Sequence, residues 1–165
     1  MSNAAFEELV NRYSRQVLNV ALRVLGNAES ANDVHQEVFL TIWRRWHKFN
    51  GQMNWNGYLY RVTVRKAIDS ARRSRARASA ELAPAEVAEE NDPDAPLRAD
   101  ELRQELTSCL AKLPERQAEV FVLSRIEGLN HQTIAGLLDC SEQTVRVHLH
   151  RATKRLAREL SGYLK

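Results

Sequence analysis

Apolar residues recur three or four positions apart along nearly all of the 165-residue chain, and this spacing keeps them on one face of a helix. The first such stretch ends at Gly26 and contains Phe6, Leu9, Val10, Tyr13, Val17, Leu18, Ala21 and Leu25. Asn27 can cap a second helix, whose apolar stripe consists of Ala31, Val34, Val38, Ile42 and Trp46. No stretch alternates apolar and polar residues as a half-buried strand does. The sequence therefore predicts an all-α fold.

One segment interrupts the helical pattern. "ASAELAPAEVAEENDPDAP", residues 78–96, contains Pro84, Pro93 and Pro96 and few branched apolar or aromatic residues. Such a composition disfavours both a long helix and a contribution to a core. We interpret residues 80–96 as a flexible acidic linker, which leaves two small helical domains at 1–79 and 97–165.

Charge is distributed unevenly along the chain. Residues 1–80 carry 13 Lys and Arg against 6 Asp and Glu, residues 81–105 carry 2 against 9, and residues 106–165 carry 9 against 6. Two basic blocks therefore flank an acidic one. Because net charge bears on partners rather than on fold, this distribution favours binding to a polyanion.

Several functional classes are disfavoured. No apolar run approaches the roughly 18 residues of a membrane span, and the N-terminus does not resemble a secretory signal, so we expect a cytoplasmic protein that does not insert into a membrane. A zinc site built from His131, Cys140, His148 and His150 is disfavoured, because His148 and His150 lie about 200° apart on a helix. No phosphate loop, nucleophile elbow or paired-acid site stands out. We therefore expect no catalysis, no cofactor, no metal and no small-molecule substrate.

The stretch "IAGLLDCSEQTV" predicts a helix-turn-helix in the second domain. Ile134 and Leu138 supply the packing face of its first helix, and Asp139 occupies the reversal. Cys140 is expected to be a small buried plug, and Ser141 caps the next helix. Asp tolerates the positive φ that such a reversal often needs better than most residues do. Pro114 suits the first turn of a helix that we expect to run to Glu127, with Gly128 as its stop. The predicted core of this domain consists of Leu113, Val120, Ile134, Leu138, Val145 and Leu149.

The helix after this turn has one apolar and one cationic face. At 100° per residue, one arc holds Val145, Leu149, Ala152, Leu156 and Leu160. The opposite arc holds Arg146, Val147, His150, Arg151, Lys154 and Arg158. A basic face can be merely solvated, but after a helix-turn-helix reversal it favours contact with DNA in the major groove.

Three stretches together resemble the extracytoplasmic-function (group 4) sigma factors. "LPERQAEVFVLSRIEGLNHQTIAGLLDCSEQTVRVHLHRATKRL" is similar to the family's domain that reads the −35 promoter element. "NAESANDVHQEVFLTIWRRW" resembles its polymerase-binding helix, and "NWNGYLYRVTVRKAIDSARR" resembles its −10-reading helix. The resemblance spans about residues 5–160 in the family's order. It implies core RNA polymerase and promoter DNA as partners, with control by an anti-sigma factor.

The resemblance also implies roles for individual residues. The −35 element would be bound by Thr144, Arg146, Val147, His150, Arg151, Lys154 and Arg155. The −10 element would be bound by the loop residues Asn50, Gly51, Gln52, Met53 and Asn54 and by Arg61, Arg65 and Lys66. Core polymerase would be bound by Asp33, Gln36, Glu37, Trp43 and Arg44.

Some assignments stay open at this point. Trp55 and Tyr58 favour core packing over base stacking, whereas Tyr60 is ambiguous, and His35 stands where the family usually has an apolar residue. The linker can mimic RNA in the polymerase channels, through Glu86, Glu89, Glu90, Asp92 and Asp94, or serve as a solvated tether.

Two other functions are compatible with parts of the pattern. One is a stand-alone helix-turn-helix regulator, which would bind duplex DNA without polymerase and favour paired half-sites. The other is an anti-sigma or adaptor protein that uses its helices for protein contacts alone. The second leaves both basic domains unexplained.

Overall fold

The computed structural model describes residues 2–81 and 95–162, and the side chains of all of these except 95–97. Seven α-helices lie in these stretches: α1 (Asn3–Leu25), α2 (Ala28–Arg44), α3 (Trp55–Ala80), α4 (Ala95–Lys112), α5 (Glu115–Phe121), α6 (His131–Leu138) and α7 (Glu142–Leu160). No strand occurs in either described stretch, so the all-α prediction is confirmed.

Most of the predicted linker lies outside the described residues. Helix α3 continues through Ala80 and α4 begins at Ala95, so the ends of the predicted 80–96 segment are helical. The five acidic residues considered for RNA mimicry all fall outside the described part of the chain. The division into domains at 1–79 and 97–165 stays a prediction. Below, the first region means α1–α3 and the second region means α4–α7.

Helices α1, α2 and α3 pack together through the apolar stripes that the sequence predicts. Val17, Val34, Ile42, Leu59 and Ile68 are almost fully buried between them. A short 3₁₀ helix (Trp46–Lys48) follows α2 and buries Trp46. Burial of large aliphatic side chains contributes roughly 1.5–3 kcal/mol each, so this interface stabilises the first region.

Local signals set the ends of these helices. Gly26 ends α1 in the left-handed conformation, at φ 65°. The Asn27 side chain then accepts a 2.9 Å hydrogen bond from the Ser30 amide and starts α2. Asn54 caps α3 in the same way, through a 3.3 Å bond from the Gly57 amide. These caps satisfy amides that the first turn of a helix leaves without partners.

The second region packs α5, α6 and α7 around a separate part of the core. All six residues predicted for this core, including Leu113 and Val145, are buried. One prediction needs a correction, because the helix expected to run from Pro114 to Glu127 is regular only to Phe121. Val122–Ile126 form a π-helical turn, and the Glu127 amide donates to the Val122 carbonyl at 2.9 Å. Gly128, at φ 70°, ends the segment as expected.

The two regions contact each other. Helix α3 packs against α4, α5 and α6, and α1 also contacts α4. Across the stretches that the structure describes, none of the helices is both long and apolar enough to cross a membrane.

Candidate nucleic-acid interface

The helix-turn-helix forms as the sequence predicts. Asp139 ends α6 in the left-handed conformation, at φ 53° and ψ 54°, and it is the one non-glycine residue with positive φ among the described residues. The Ser141 hydroxyl accepts a 3.1 Å hydrogen bond from the Thr144 amide, which caps α7. Cys140, expected to be a buried plug, is only half-buried. The sharp reversal sets α7 against α6 and leaves its outer face open.

Helix α7 presents the cationic face. Its packing side buries Val145, Leu149, Ala152 and Leu156. Five of the seven residues implied to bind the −35 element are exposed, namely Arg146, His150, Arg151, Lys154 and Arg155. The other two, Thr144 and Val147, are half-buried. The structure therefore brings all seven onto one accessible side of one helix. Such a surface, led by a capped helix N-terminus, has the charge and shape to enter a major groove.

The loop before α3 is open to solvent. Asn50, Gly51, Gln52 and Asn54 are exposed, while Met53 is half-buried. The Asn50 side chain accepts a 3.3 Å bond from the Gln52 amide, which shapes the loop. Beside it, Phe49, Trp55 and Tyr58 form an aromatic cluster with ring centroids 5.0–5.9 Å apart. This is the packing role predicted for Trp55 and Tyr58.

A cationic groove lies between α2 and α3. It encloses about 370 Å³ and is lined by Arg45, Arg61, Arg65 and Lys66 together with Thr41, Tyr58, Val62 and Asp69. Three of the four cations are those implied to hold the −10 strand, whereas Arg45 was missed. A groove with several cations beside a loop of exposed amide side chains suits a single strand of nucleic acid.

Arg65 also contacts the second region. Its Nε donates to Glu119 Oε1 at 2.9 Å and lies 3.2 Å from Glu115 Oε1. Burial lowers the pKa of the Arg65 guanidinium, but the hydrogen bond and charge of Glu119, with Glu115, outweigh it, so the pKa is raised overall. Arg65 is therefore already paired with carboxylates in this arrangement.

Tyr60 is engaged in the same interface rather than in a stacking platform. Its hydroxyl donates to Glu127 Oε2 at 3.0 Å. Burial and this hydrogen bond raise the pKa of the Tyr60 phenol. Glu119 and Glu127 were not singled out from the sequence, because nothing in their spacing distinguishes a buried carboxylate from a solvated one.

A second accessible surface runs along α2. The five residues implied to bind polymerase lie within about 120° of one another around the helix. Asp33, Gln36, Trp43 and Arg44 are exposed, whereas Glu37 is half-buried and accepts a 3.0 Å hydrogen bond from Arg73. Leu40 lies at the centre of this arc and is 50% exposed, so it belongs to the same surface. Its three-residue spacing from both Glu37 and Trp43 is the signal that could have found it.

An apolar groove borders this α2 surface. It encloses about 610 Å³ between α1 and α2, and its apolar lining consists of Phe6, Val10, Phe39, Leu40 and Trp43. The Phe6 and Trp43 rings lie 4.8 Å apart between centroids. Exposed apolar side chains beside carboxylate and amide groups form a surface suited to a partner helix.

His35 forms part of this groove. Its Nε2 is hydrogen-bonded to Ser14 Oγ at 2.6 Å, and its ring lies 5.0 Å from that of Phe39. Burial lowers the pKa of the imidazole below its ordinary value. His35 is therefore a hydrogen-bonded packing residue at the position where the resemblance implies an apolar side chain.

The four residues considered as a zinc site remain unsupported as a metal site. His148 is half-buried in α7 and His150 is exposed on its outer face, as their two-residue separation requires. In the described parts of the chain, no three or more His, Cys, Asp or Glu side chains are grouped so that they could hold a metal ion.

Two models of known protein families match the parts of the chain that carry these surfaces. The family model for Sigma-70 region 2 matches residues 9–77, which include α2, the open loop and the cationic groove. The family model for Sigma-70, region 4, matches residues 103–156, which include the helix-turn-helix. The two matches cover most of the chain, and they occur in the order that the resemblance implies.

Curated proteins that are similar to this chain in sequence are named as RNA polymerase sigma factors. The ECF RNA polymerase sigma factor SigE of Mycolicibacterium smegmatis is 30% identical over 156 residues, which cover 92% of this chain and 60% of the relative. The RNA polymerase sigma-H factor of Pseudomonas aeruginosa is 28% identical over 171 residues, covering 98% and 89%. The ECF RNA polymerase sigma factor SigW of Bacillus subtilis is 27% identical, covering 94% and 89%. The chain thus spans three fifths of one relative and nearly all of the other two.

Solved structures show the same fold. The sigma factor RpoE in complex with the anti-sigma factor NepR, from Bartonella quintana, has a TM-score of 0.52 and 19% identity, covering 95% of this chain and 97% of RpoE. CnrH in complex with the cytosolic domain of CnrY has a TM-score of 0.57 and 21% identity, covering 98% and 90%. The helix-turn-helix, the α2 surface and these matches define a sigma-70-type protein. The chain belongs to the extracytoplasmic-function sigma factors of that family.

Proposed function

We propose that this chain is an RNA polymerase sigma factor that directs promoter-specific transcription initiation. One observation carries the proposal: a single chain presents two separate cationic surfaces and one mixed apolar and acidic surface, in the order of sigma regions 2 and 4. The chain itself performs no chemistry in this proposal, since polymerase makes the RNA. It acts where polymerase and promoters meet, in the cytoplasm.

In this proposal α2 docks on core polymerase. Asp33, Gln36 and Glu37 offer carboxylate and amide groups to a basic, hydrogen-bonding partner, and Trp43 and Leu40 add exposed apolar area. Charged groups at the rim set the rate and specificity of such a contact, whereas buried apolar anchors supply most of the affinity. The mixed character of the α2 surface supports both roles.

The −10 element is held at the loop 50–54 and along α3. The exposed loop is placed to receive an unstacked base, and the groove cations bind the backbone of the same strand. Promoter opening needs both, because a flipped base must be captured while the strand is held in place. Trp55 and Tyr58 support the loop from beneath rather than stack on bases.

The −35 element is read by α7. Arg146 lies near the N-terminal end of the helix, where side chains reach base edges, and a guanidinium can contact guanine O6 and N7 together. Arg151, Lys154 and Arg155 bind phosphates and position the helix. Glu142 either accepts from cytosine or satisfies the helix dipole.

We further propose that an anti-sigma factor controls this chain. RpoE was solved with the anti-sigma factor NepR, and CnrH with the cytosolic domain of CnrY. The exposed cationic face of α7 and the exposed apolar side chains of α2 offer such a partner its binding surface.

The test is gel filtration of the protein with bacterial core RNA polymerase, followed by footprinting of open complexes on fragments of its own genome. Co-elution with melting at specific promoters is the expected result, and the footprints define the −10 and −35 sequences. A protein that fails to co-elute but binds paired half-sites in duplex DNA alone would be a stand-alone regulator, and the proposal would be wrong.

A further inference from the structure

The first turn of α1 packs against two tryptophans at the end of α2. The ring centroid of Phe6 lies 4.8 Å from that of Trp43, at an interplanar angle of 55°. It lies 5.2 Å from the centroid of Trp46, and these two rings meet edge to face at 74°. Aromatic pairs prefer such tilted and edge-to-face arrangements, which stabilise them beyond the burial of apolar area. Phe6 is therefore in contact with one indole of the α2 surface and one buried indole.

The start of α1 also holds Trp46 through the backbone. Trp46 Nε1 donates a 3.2 Å hydrogen bond to the Ser2 carbonyl, which also accepts from the Phe6 amide at 3.3 Å. The Ser2 hydroxyl accepts a 3.3 Å bond from the Ala5 amide and caps the helix. A capped first turn has fewer unsatisfied amides, so it frays less. Trp46 thus receives both a ring contact and a backbone acceptor from the same turn.

Trp46 in turn supports both ends of the loop 50–54. Phe49 precedes this loop and Trp55 follows it, and their ring centroids lie 6.4 Å and 5.7 Å from that of Trp46. The Phe49 and Trp55 centroids are 5.0 Å apart. Because both ends of the loop rest on one indole, the position of Trp46 sets how the exposed loop residues are presented.

Trp43 is one of the residues that the resemblance assigns to polymerase binding, and it is 43% exposed. An exposed side chain that moves freely must be ordered when a partner binds, and this ordering reduces the affinity. The ring contact with Phe6 orders the indole beforehand. Phe6 itself is half-buried and lines the apolar groove beside α2, but the resemblance assigns it to neither polymerase nor DNA binding.

We propose that Phe6 is a positioning residue for both functional surfaces of the first region. Through Trp43 it orders the α2 surface for core polymerase. Through Trp46 it holds the −10 loop in the form that receives an unstacked base. This inference rests on the proposed function, because it names a residue on which the same two surfaces depend.

Three variants separate positioning from simple packing. Phe6→Leu removes the ring but keeps an apolar side chain of similar size, whereas Phe6→Tyr keeps the ring and should rescue every effect. Phe121→Leu is the matched control, because Phe121 is also half-buried but lies on α5 in the second region. Far-UV circular dichroism and the urea midpoint check that each variant is folded. Phe6→Met takes the place of Phe6→Leu if that variant does not fold.

The first measurement is near-UV circular dichroism of the free chain. All three tryptophans of the chain belong to this aromatic cluster, so their signal reports on its packing alone. Loss of fixed side-chain packing weakens near-UV signals while far-UV signals persist. Phe6→Leu should therefore weaken the tryptophan signal at unchanged helicity, whereas Phe6→Tyr and Phe121→Leu should retain it.

The second measurement is affinity for core polymerase, by competition. Phe6→Leu should weaken binding about fivefold, which is the size expected for the loss of one aromatic contact. In a Trp43→Leu background the same substitution should have almost no further effect, since the ring that Phe6 positions is gone. A residue that contacts polymerase directly would keep its full effect in that background.

The third measurement is binding of a short single-stranded oligonucleotide with the footprinted −10 sequence. It uses the complex with core polymerase, at polymerase concentrations that saturate every variant. Phe6→Leu should weaken oligonucleotide binding about fivefold, because the aromatic contact with Trp46 is lost. Here the effect should persist in the Trp43→Leu background, since it passes through Trp46. Phe121→Leu should bind the oligonucleotide as the parent chain does.

Three results would overturn the inference. Parent-like polymerase affinity of Phe6→Leu would show that Trp43 needs no positioning by this ring. A full effect of Phe6→Leu in the Trp43→Leu background would show that Phe6 contacts polymerase itself. Unchanged oligonucleotide binding would show that the loop does not depend on the contact between Phe6 and Trp46. Failure of the proposed function is a separate result, since the parent chain itself would then not bind polymerase.

Discussion

Arg146 Nη2 lies 3.6 Å from Glu142 Oε2, one turn earlier on α7, and both side chains are about half exposed. The Arg146 Nη1 also donates to Gln143 Oε1 at 3.4 Å. Exposed pairs at this spacing contribute only about 0.3–0.5 kcal/mol to stability. The fold therefore does not depend on Arg146, whose guanidinium is aligned at the N-terminal end of the helix and free to exchange its partners for a base.

The first prediction concerns sequence reading by α7. Arg146→Ala should cost about 1–3 kcal/mol of binding at one position of the −35 element and relax specificity there. Lys154→Ala, the matched control, should weaken binding evenly across sequences and reduce the salt slope by about 1. The measurement is holoenzyme affinity for a panel of −35 variants at several salt concentrations. Equal loss at every variant from Arg146→Ala would show that Arg146 does not read a base.

The second prediction concerns the apolar part of the α2 surface. Leu40→Ala should weaken core polymerase binding about tenfold, which corresponds to about 1.4 kcal/mol, because an exposed leucine gains burial in the complex. Its effect on the free energy of unfolding should stay within about 0.5 kcal/mol. The measurements are polymerase affinity by competition and stability by urea denaturation.

A matched control exists for this prediction. Leu102, on α4, is 45% exposed, close to the 50% of Leu40, and lies away from the α2 surface. Leu102→Ala should leave polymerase affinity unchanged. Equal effects of the two substitutions on affinity would remove Leu40 from the proposed interface.

The sequence predicted local features well because their causes are local. Asn27 and Ser141 cap the helices they were expected to cap, and Asp139 adopts the positive φ of the reversal. The apolar spacing likewise identified the buried face of α7. Each of these depends on residues within one or two turns, so a single sequence contains the information.

Features that depend on distant residues were not predictable. Glu119 lies 54 positions from Arg65, and Glu127 lies 104 positions from Arg23, so no helical spacing relates them. The π-helical turn at 122–126 was read as ordinary helix, because its residues have the same apolar pattern as the turns around it. The polymerase and DNA roles of individual residues came from the resemblance, and they stay predictions.

The third prediction concerns the helix-turn-helix reversal. Asp139→Ala should destabilise the protein by about 1–2 kcal/mol, since an alanine Cβ is disfavoured in the left-handed conformation. Asp139→Gly should be neutral within about 0.5 kcal/mol, because glycine adopts this φ freely but loses more entropy on folding. The measurement is the urea midpoint of both variants. Equal losses would mean that the Asp139 side chain, rather than the backbone conformation, matters.

The fourth prediction concerns His35 and pH. Burial lowers the pKa of its imidazole from the ordinary value of 6.5, so the unfolded chain binds a proton at a pH where the folded protein does not. Stability should therefore decrease as pH falls below about 6.5, until the lowered folded pKa is reached. His35→Phe keeps an aromatic ring against Phe39 and removes the titration. It should reduce the pH dependence of the free energy of unfolding in this window.

Ser14→Ala is the control for this last prediction. It removes the 2.6 Å hydrogen bond to His35 but keeps the imidazole, so the pH dependence should persist even if the protein is less stable overall. The measurement is urea denaturation of the parent chain and both variants at several pH values on either side of 6.5. Burial opposes the imidazolium form whichever group the ring contacts, so the hydrogen bond matters less than the titrating ring itself. Identical pH profiles for His35→Phe and the parent chain would assign the acid sensitivity to other groups.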